Sequence, residues 1–136
     1  MTEIDFHAHI LPGCDHGSDG LETSLRQIAL AREADVDIVC ATPHFYGHQI
    51  SAERFLEKRA RCWLELKAHL KDDDPRILLG AEVLAFEGIE RLPQLEALCL
   101  SGTDLLLEYP EYVSSFNYSN QKFFKYFPLY ITVEEF

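Results

Sequence analysis

The chain has 136 residues and a formal net charge of -11 at pH 7, with 47% hydrophobic and 26% charged residues. This composition is typical of one globular unit, and the negative charge without a basic run argues against binding to nucleic acid or to an anionic membrane surface. The first residues lack the basic and apolar regions of a signal peptide, and no apolar stretch reaches membrane-spanning length. We therefore expect a cytoplasmic protein without membrane insertion.

The first predicted strand leads into two closely spaced histidines. Residues 5–12 read DFHAHILP, which places His7 and His9 two positions apart. Side chains at i and i+2 of an extended strand point to the same face. Two imidazoles aimed at one point can chelate a divalent transition metal, although two strand-end histidines that only satisfy local hydrogen bonds are the alternative.

A turn and a helix are predicted next. Residues 13–17 read GCDHG, a turn that carries an acid and a further imidazole. Apolar side chains at helical spacing then predict a helix of about three turns over residues 21–32, with Ser18 or Asp19 as its N-cap.

The second predicted strand also ends at a histidine. The apolar run 36–42 is followed by a proline and His44. Residues 51–70 are predicted to form a longer helix, whose first residue is a serine suited to N-capping. His48 lies between these elements, where a structural role is favoured and contact with a substrate is the alternative.

Two more predicted strands end at acidic residues. The run 76–81 leads to Glu82, and the run 104–107 leads to Glu108. A short helix over 87–92 separates them and ends at a proline. The alternation of strands and helices predicts an α/β fold with parallel strands, and ligand-type side chains at every strand end predict a site at the carboxyl ends of the sheet.

These motifs together resemble a known family. They are DFHAHILP at 5–12, DHG at 15–17, ATPH at 41–44, GAEV at 80–83 and LLEYP at 106–110. In this order they are similar to the PHP (polymerase and histidinol phosphatase) superfamily. Within it they resemble the bacterial metal-dependent tyrosine-protein phosphatases of capsule and exopolysaccharide gene clusters.

The resemblance implies a fold, a metal site and a reaction. The fold would be the N-terminal portion of a distorted (β/α)7 PHP-type barrel, with residues 1–110 as the barrel part and 111–136 as a divergent tail. The metal would be Mn2+, with Zn2+, Fe2+ or Mg2+ as alternatives, and it would serve hydrolysis of phosphotyrosine without a protein nucleophile. The implied ligands are His7 and His9 for a first metal, Glu82 bridging to a second, Glu108 completing the second, and His16 and His44 for a third.

The sequence departs from this family pattern in two ways. His16 stands where the capsule phosphatases usually have an aspartate, and Asp15 is then interpreted as a turn residue or a partner of a ligand rather than a ligand itself. The family's second half would add a His-Pro-Glu-Arg motif and a late Asp-x-His, and neither occurs here. We therefore interpret the chain as an N-terminal fragment, a truncated gene product or a degenerate copy.

Partners and assembly follow from the same resemblance and from the tail. A phosphotyrosine protein is the implied substrate, with a bacterial tyrosine kinase of polysaccharide synthesis as a candidate. Ten of the sixteen aromatic residues lie in 109–136, where we predict a helix over 121–127 and a strand over 129–133. An open sheet edge beside such a segment predicts a homo-oligomeric or aggregation-prone chain.

Two other functions remain open from the residues. One is a catalytically inactive remnant that binds metal or a partner protein, and the other is a different His-x-His barrel hydrolase, such as an amidohydrolase. The four cysteines are widely spaced and without a Cys-x-x-Cys pair, which predicts reduced core thiols and not a redox or zinc motif.

Overall fold

The structure is a computed structural model that describes residues 1–109. The predicted elements of the tail lie outside these residues. In chain order the elements are β1 (Ile4–Ala8), α1 (Leu21–Glu33), β2 (Ile38–Ala41), β3 (His44–Phe45), α2 (Ala52–Lys67), β4 (Arg76–Leu79), β5 (Glu82–Leu84), a 3-10 turn (Ile89–Arg91), α3 (Leu95–Leu98) and β6 (Leu107–Tyr109).

The strands form two sheets of three strands each, in the orders β1-β2-β4 and β3-β5-β6. Every pair of neighbours is parallel. In the first sheet, α1 connects β1 to β2, and α2 lies between β2 and β4 along the chain, as expected for an α/β fold. Residues 1–109 do not form a closed barrel, so the (β/α)7 barrel and the boundary at residue 110 stay predictions.

The second and third predicted strands each divide in two, which corrects the expectation that they run unbroken to the candidate ligands. Pro43 separates β2 from β3, and its missing N–H interrupts a strand ladder. Gly80 separates β4 from β5, and a Cβ there would lie 2.6 Å from Cδ2 of Leu100. The chain thereby passes from the first sheet to the second, so that His44 opens β3 and Glu82 opens β5.

The start of α1 differs from the prediction. The helix begins at Leu21, and neither Ser18 nor Asp19 caps it through a side chain. The Ser18 hydroxyl is buried and lies 2.6 Å from the Ser24 hydroxyl inside the helix. That hydroxyl is therefore engaged with a partner in the first turn and does not reach the free N–H groups at the helix start.

The second helix has the predicted cap and a shorter end. The Ser51 hydroxyl accepts a hydrogen bond from the Arg54 backbone N–H at 3.2 Å. The helix ends at Lys67, where the sequence predicted Leu70, because the Leu70 N–H donates to the carbonyl three residues back in a tighter turn. The face turned to the core carries Phe55, Cys62 and Leu66.

The last described strand begins later than predicted. The Leu100 N–H donates to the Leu105 carbonyl at 2.8 Å, which closes a tight turn over much of the predicted strand 104–107. Strand β6 consequently starts at Leu107 and contains Glu108 instead of ending before it.

Three buried apolar clusters hold these elements together. All four cysteines are buried in them as free thiols: Cys14, Cys40, Cys62 and Cys99. The predicted short helix over 87–92 is the 3-10 turn. Among residues 1–109, no helix has both the length and the apolar character needed to cross a bilayer.

Candidate metal centre

Four of the six predicted ligands come together at the junction of the two sheets. His7 lies in β1 and His9 follows that strand, so the i,i+2 spacing directs both imidazoles to one place. His44 and Glu82 are register partners at the starts of β3 and β5, and partners in a parallel sheet share a face. The interruptions after β2 and β4 thus place two predicted ligands of the second sheet, His44 and Glu82, next to the two histidines at the end of β1.

One oxygen of Glu82 is the meeting point of the three histidines. Glu82 Oε2 lies 3.0 Å from His7 Nε2, 3.1 Å from His9 Nε2 and 3.2 Å from His44 Nδ1. The two Nε2 atoms of His7 and His9 are themselves 3.0 Å apart. Such separations are close to those between neighbouring ligand atoms around one ion with bonds of about 2.0–2.2 Å.

Hydrogen bonds do not satisfy this arrangement while the His9 ring is neutral. His9 Nδ1 lies 2.8 Å from Oδ2 of Asp15, a carboxylate that can only accept, so the hydrogen of a neutral His9 ring is on Nδ1. The bare Nε2 lone pair of His9 then faces the Glu82 oxygen at 3.1 Å. Two lone pairs at that distance repel each other unless a proton or a metal cation lies between them. The donor set therefore fits a divalent metal.

The turn that carries Asp15 is shaped to hold His9. Asp15 also accepts the backbone N–H groups of His44 at 3.1 Å and Gly17 at 2.8 Å. A Cβ at position 17 would lie 2.2 Å from Cβ of His9, so only glycine allows this close approach. Asp15 thus fixes the tautomer and orientation of His9, as carboxylate partners of metal-binding histidines do, which matches its interpretation as a partner.

The pKa of Asp15 is consistent with a charged acceptor. Burial by itself would raise this pKa, but the hydrogen bonds from His9, Gly17 and His44 outweigh it and hold the pKa below its ordinary value of 3.8. Asp15 is therefore ionised at neutral pH. Its Oδ2 atom is also close enough to His9 and His44 to form a second possible group of ligands.

The exposed fractions of the side chains show which side of the centre is open. The Glu82 side chain is 10% exposed, whereas that of His7 is 48% exposed. The exposed fraction of the His44 side chain lies between these two values. Burial lowers the pKa of His44, which favours the neutral ring that a metal requires. Among these side chains, that of His7 is thus the most open to solvent.

His16 lies beside His44 without joining the central group. Its exposed ring stacks on His44, with the ring centroids 4.8 Å apart and the planes at 20°. It is absent from the groups of three possible ligands among residues 1–109, which are His7–His9–Glu82 and His9–Asp15–His44. Its role as a ligand stays a prediction.

Glu108 is placed differently. In the second sheet Glu108 is the register partner of Val83, and Val83 is the register partner of Phe45. Val83 and Phe45 are both buried in the core. His44 and Glu82 occupy the other face of the same strands. Among residues 1–109 the buried Oε1 of Glu108 has no hydrogen-bond partner, and burial raises the pKa of this carboxyl from 4.5 to about 7. The described structure does not bring Glu108 to the histidines, and its assignment as a ligand stays a prediction.

This position of Glu108 predicts a stability effect in the metal-free protein. The unfolded chain releases the proton near pH 4.5 and the folded chain keeps it to about pH 7, so stability falls as the pH rises between these values. The shift corresponds to at most about 3 kcal/mol. We expect Glu108→Gln to stabilise the protein by about 1–2 kcal/mol at pH 8, because water screens the partly buried group, and to have little effect at pH 4.

Urea unfolding in the presence of a chelator measures this difference. The exposed Glu87, changed to Gln, is the matched control for removing one negative charge from an acidic chain. A Glu108→Gln protein that is no more stable than wild type at pH 8 would mean that the carboxylate is solvated or paired.

One aromatic neighbour of the centre was missed from the sequence. The Tyr46 ring stacks on His44, with centroids 5.3 Å apart and planes at 13°. The signal was present, because Tyr46 follows His44 by two positions and shares its side of the extended chain, while Phe45 between them is buried.

Comparison with known proteins identifies the family of the chain. Residues 3–124 match the family model described as "Capsular polysaccharide synthesis, CpsB/CapC". The chain belongs to the CpsB/CapC family. This confirms the family that the motifs of the sequence indicated.

A CpsB/CapC fold is also known from crystal structures of YwqE from Bacillus subtilis and CpsB from Streptococcus pneumoniae, described as unique metal-dependent tyrosine phosphatases. A chain from that work matches with a TM-score of 0.62 and 21% identity, over 90% of this chain and 50% of that chain. At this identity the likeness shows the fold. This chain spans about half the length of that relative. No curated protein matches it in sequence.

Proposed function

We propose that this CpsB/CapC chain forms the N-terminal part of a metal-dependent phosphomonoester hydrolase that acts on protein phosphotyrosine in the regulation of capsular or exopolysaccharide synthesis. The observation that carries the proposal is the convergence of three histidines on one oxygen of Glu82, with the other ring nitrogen of His9 held by Asp15. The family and the fold of the phosphatases YwqE and CpsB support the same reaction class.

The residues have separate tasks in this proposal. His7, His9, His44 and Glu82 would hold the metal, which we propose to be Mn2+, and His16 and Glu108 would add ligands. Asp15 keeps the His9 ring in the required tautomer. When bound, divalent metal activates water for attack and neutralises charge on the phosphate oxygens.

A second candidate is a metal-binding remnant without activity. The sequence contains neither His-Pro-Glu-Arg nor a late Asp-x-His, and the chain spans half of the solved relative. An active enzyme would need the charged groups of those motifs from elsewhere, whereas an inactive remnant would not. The amidohydrolase alternative is not favoured, because Glu82 contacts all three histidines, and a bridging lysine has no place in that contact.

The proposed partners are a phosphotyrosine protein, including a tyrosine kinase of polysaccharide synthesis, and a second copy of this chain. Self-association is proposed because β1 is an edge strand of its sheet among the described residues, and unpaired edges tend to associate. A cytoplasmic location stays a prediction.

Phosphate release from a phosphotyrosine peptide tests the function. We expect release that needs Mn2+, is absent with a chelator and is lost in Glu82→Gln, because the amide cannot offer a charged oxygen to the metal and the three histidines. A phosphoserine peptide should be hydrolysed more slowly. Glu87→Gln, five residues further along the chain and exposed, is the control.

Two results would contradict the proposal. Release that persists unchanged in Glu82→Gln would place the chemistry elsewhere. The absence of release at high protein concentration, together with intact metal binding, would favour the remnant.

A further inference from the structure

Two aromatic side chains follow His44 and lead away from the metal centre. Tyr46 stacks on His44, and the His48 ring lies 6.1 Å from the Tyr46 ring at an angle of 53°. Tyr46 is half-buried and His48 is exposed. We call these two side chains the aromatic shelf.

The shelf is directly adjacent to the proposed ligands. The ring of His44 has His9 at 4.5 Å and His16 at 4.8 Å between ring centroids, and Tyr46 at 5.3 Å. A stack of rings thus leads from the buried part of the centre outward to His48. A group attached to a phosphate at the centre would have this stack as a neighbour on the side of His44.

The shelf is also held in place. The Tyr46 carbonyl accepts hydrogen bonds from the backbone N–H groups of Gln49 at 2.9 Å and Ile50 at 3.1 Å. Gly47, between the two shelf residues, packs on Phe86, whose Cε1 would lie 2.9 Å from a Cβ at position 47. A fixed surface loses little freedom when a ligand packs on it.

Resting on the proposed function, we infer that the aromatic shelf is the contact surface for the aryl ring of the phosphotyrosine substrate. One ester oxygen joins the ring of phosphotyrosine to its phosphorus, so a phosphate at the centre keeps the ring beside the nearest side chains. Aromatic rings in offset or edge contact gain affinity that an alkyl group does not. The shelf would therefore select aryl over alkyl phosphates.

Binding of two phosphonates, which are not hydrolysed, tests this inference without relying on activity. The probes are phenylphosphonate and methylphosphonate, added to the manganese-loaded chain and followed by calorimetry. We expect phenylphosphonate to bind about threefold to tenfold more tightly than methylphosphonate. This ratio should approach one in Tyr46→Ala, should fall in His48→Ala and should be retained in Tyr46→Phe, which keeps the ring. His69→Ala is the control, because His69 is exposed and contacts the Glu65 carbonyl.

The ratio separates recognition of the ring from support of His44. A ratio that is unchanged in Tyr46→Ala, or equal loss of affinity for both probes with the ratio retained, overturns the inference. Equal binding of both probes by the wild-type chain overturns it as well and leaves the proposed function standing. If manganese binds but neither phosphonate does, the proposed phosphate site is wrong and the inference falls with it.

Discussion

The 136-residue chain is expected to hydrolyse an aryl phosphate at least about a thousandfold more slowly than a full-length CpsB/CapC phosphatase under the same conditions. Groups that act as one unit in catalysis cause losses of orders of magnitude when several are missing together. The described part supplies His7, His9, His44 and Glu82 around one point, but the sequence lacks the His-Pro-Glu-Arg and late Asp-x-His motifs that the family resemblance would add.

Initial rates with p-nitrophenyl phosphate and saturating Mn2+ measure this difference, with the rate in chelator subtracted. The Glu82→Gln protein sets the level of contaminating phosphatase. A rate equal to that of the full-length enzyme would show that the tail or a second copy of the chain supplies the missing groups.

Replacement of His7, which lies in β1, and of His9, which follows this strand, is expected to abolish manganese binding. His7→Ala with His9→Ala deletes the two ring nitrogens that lie within 3.1 Å of Glu82 Oε2. Of the central group only Glu82 and His44 would remain, which is too few ligands for a stable site. Titration calorimetry with Mn2+ measures the affinity, and His69→Ala is the control.

A third variant examines the partner of His9 in the same titration. Asp15→Asn should lower the affinity by about 10- to 100-fold, as is usual when the carboxylate partner of a ligating histidine is lost. Circular dichroism of each variant establishes that the fold is retained. Unchanged manganese affinity in the double histidine variant would rule out this centre.

The separate contributions of sequence and structure are clearest at the ligands. The pairing of His7 with His9 could be predicted because an extended chain repeats every two residues, a local property. The same two-residue repeat also places Tyr46 on the side of His44, but the stacking of the two rings is visible only in the structure. The capping of α2 by Ser51 was likewise a local signal and is confirmed.

Other features could not be read from local patterns. The sequence predicts single strands up to His44 and Glu82. In the structure these strands are interrupted at Pro43 and Gly80, and the chain continues in a second sheet. At the interruption near Gly80, the neighbour that leaves no room for a Cβ is Leu100, twenty residues further along the chain. Contacts over such separations are invisible to a periodic pattern.

By itself, the sequence determined which side chains are present to bind metal and that His7 and His9 share a side. The tertiary structure alone decided that the Glu82 oxygen meets three histidines, that Asp15 holds His9, and that Glu108 pairs with Val83 on the core face of β6. The physical reason is that strand periodicity is set by the backbone of each segment, whereas register and sheet order are set by packing between distant segments.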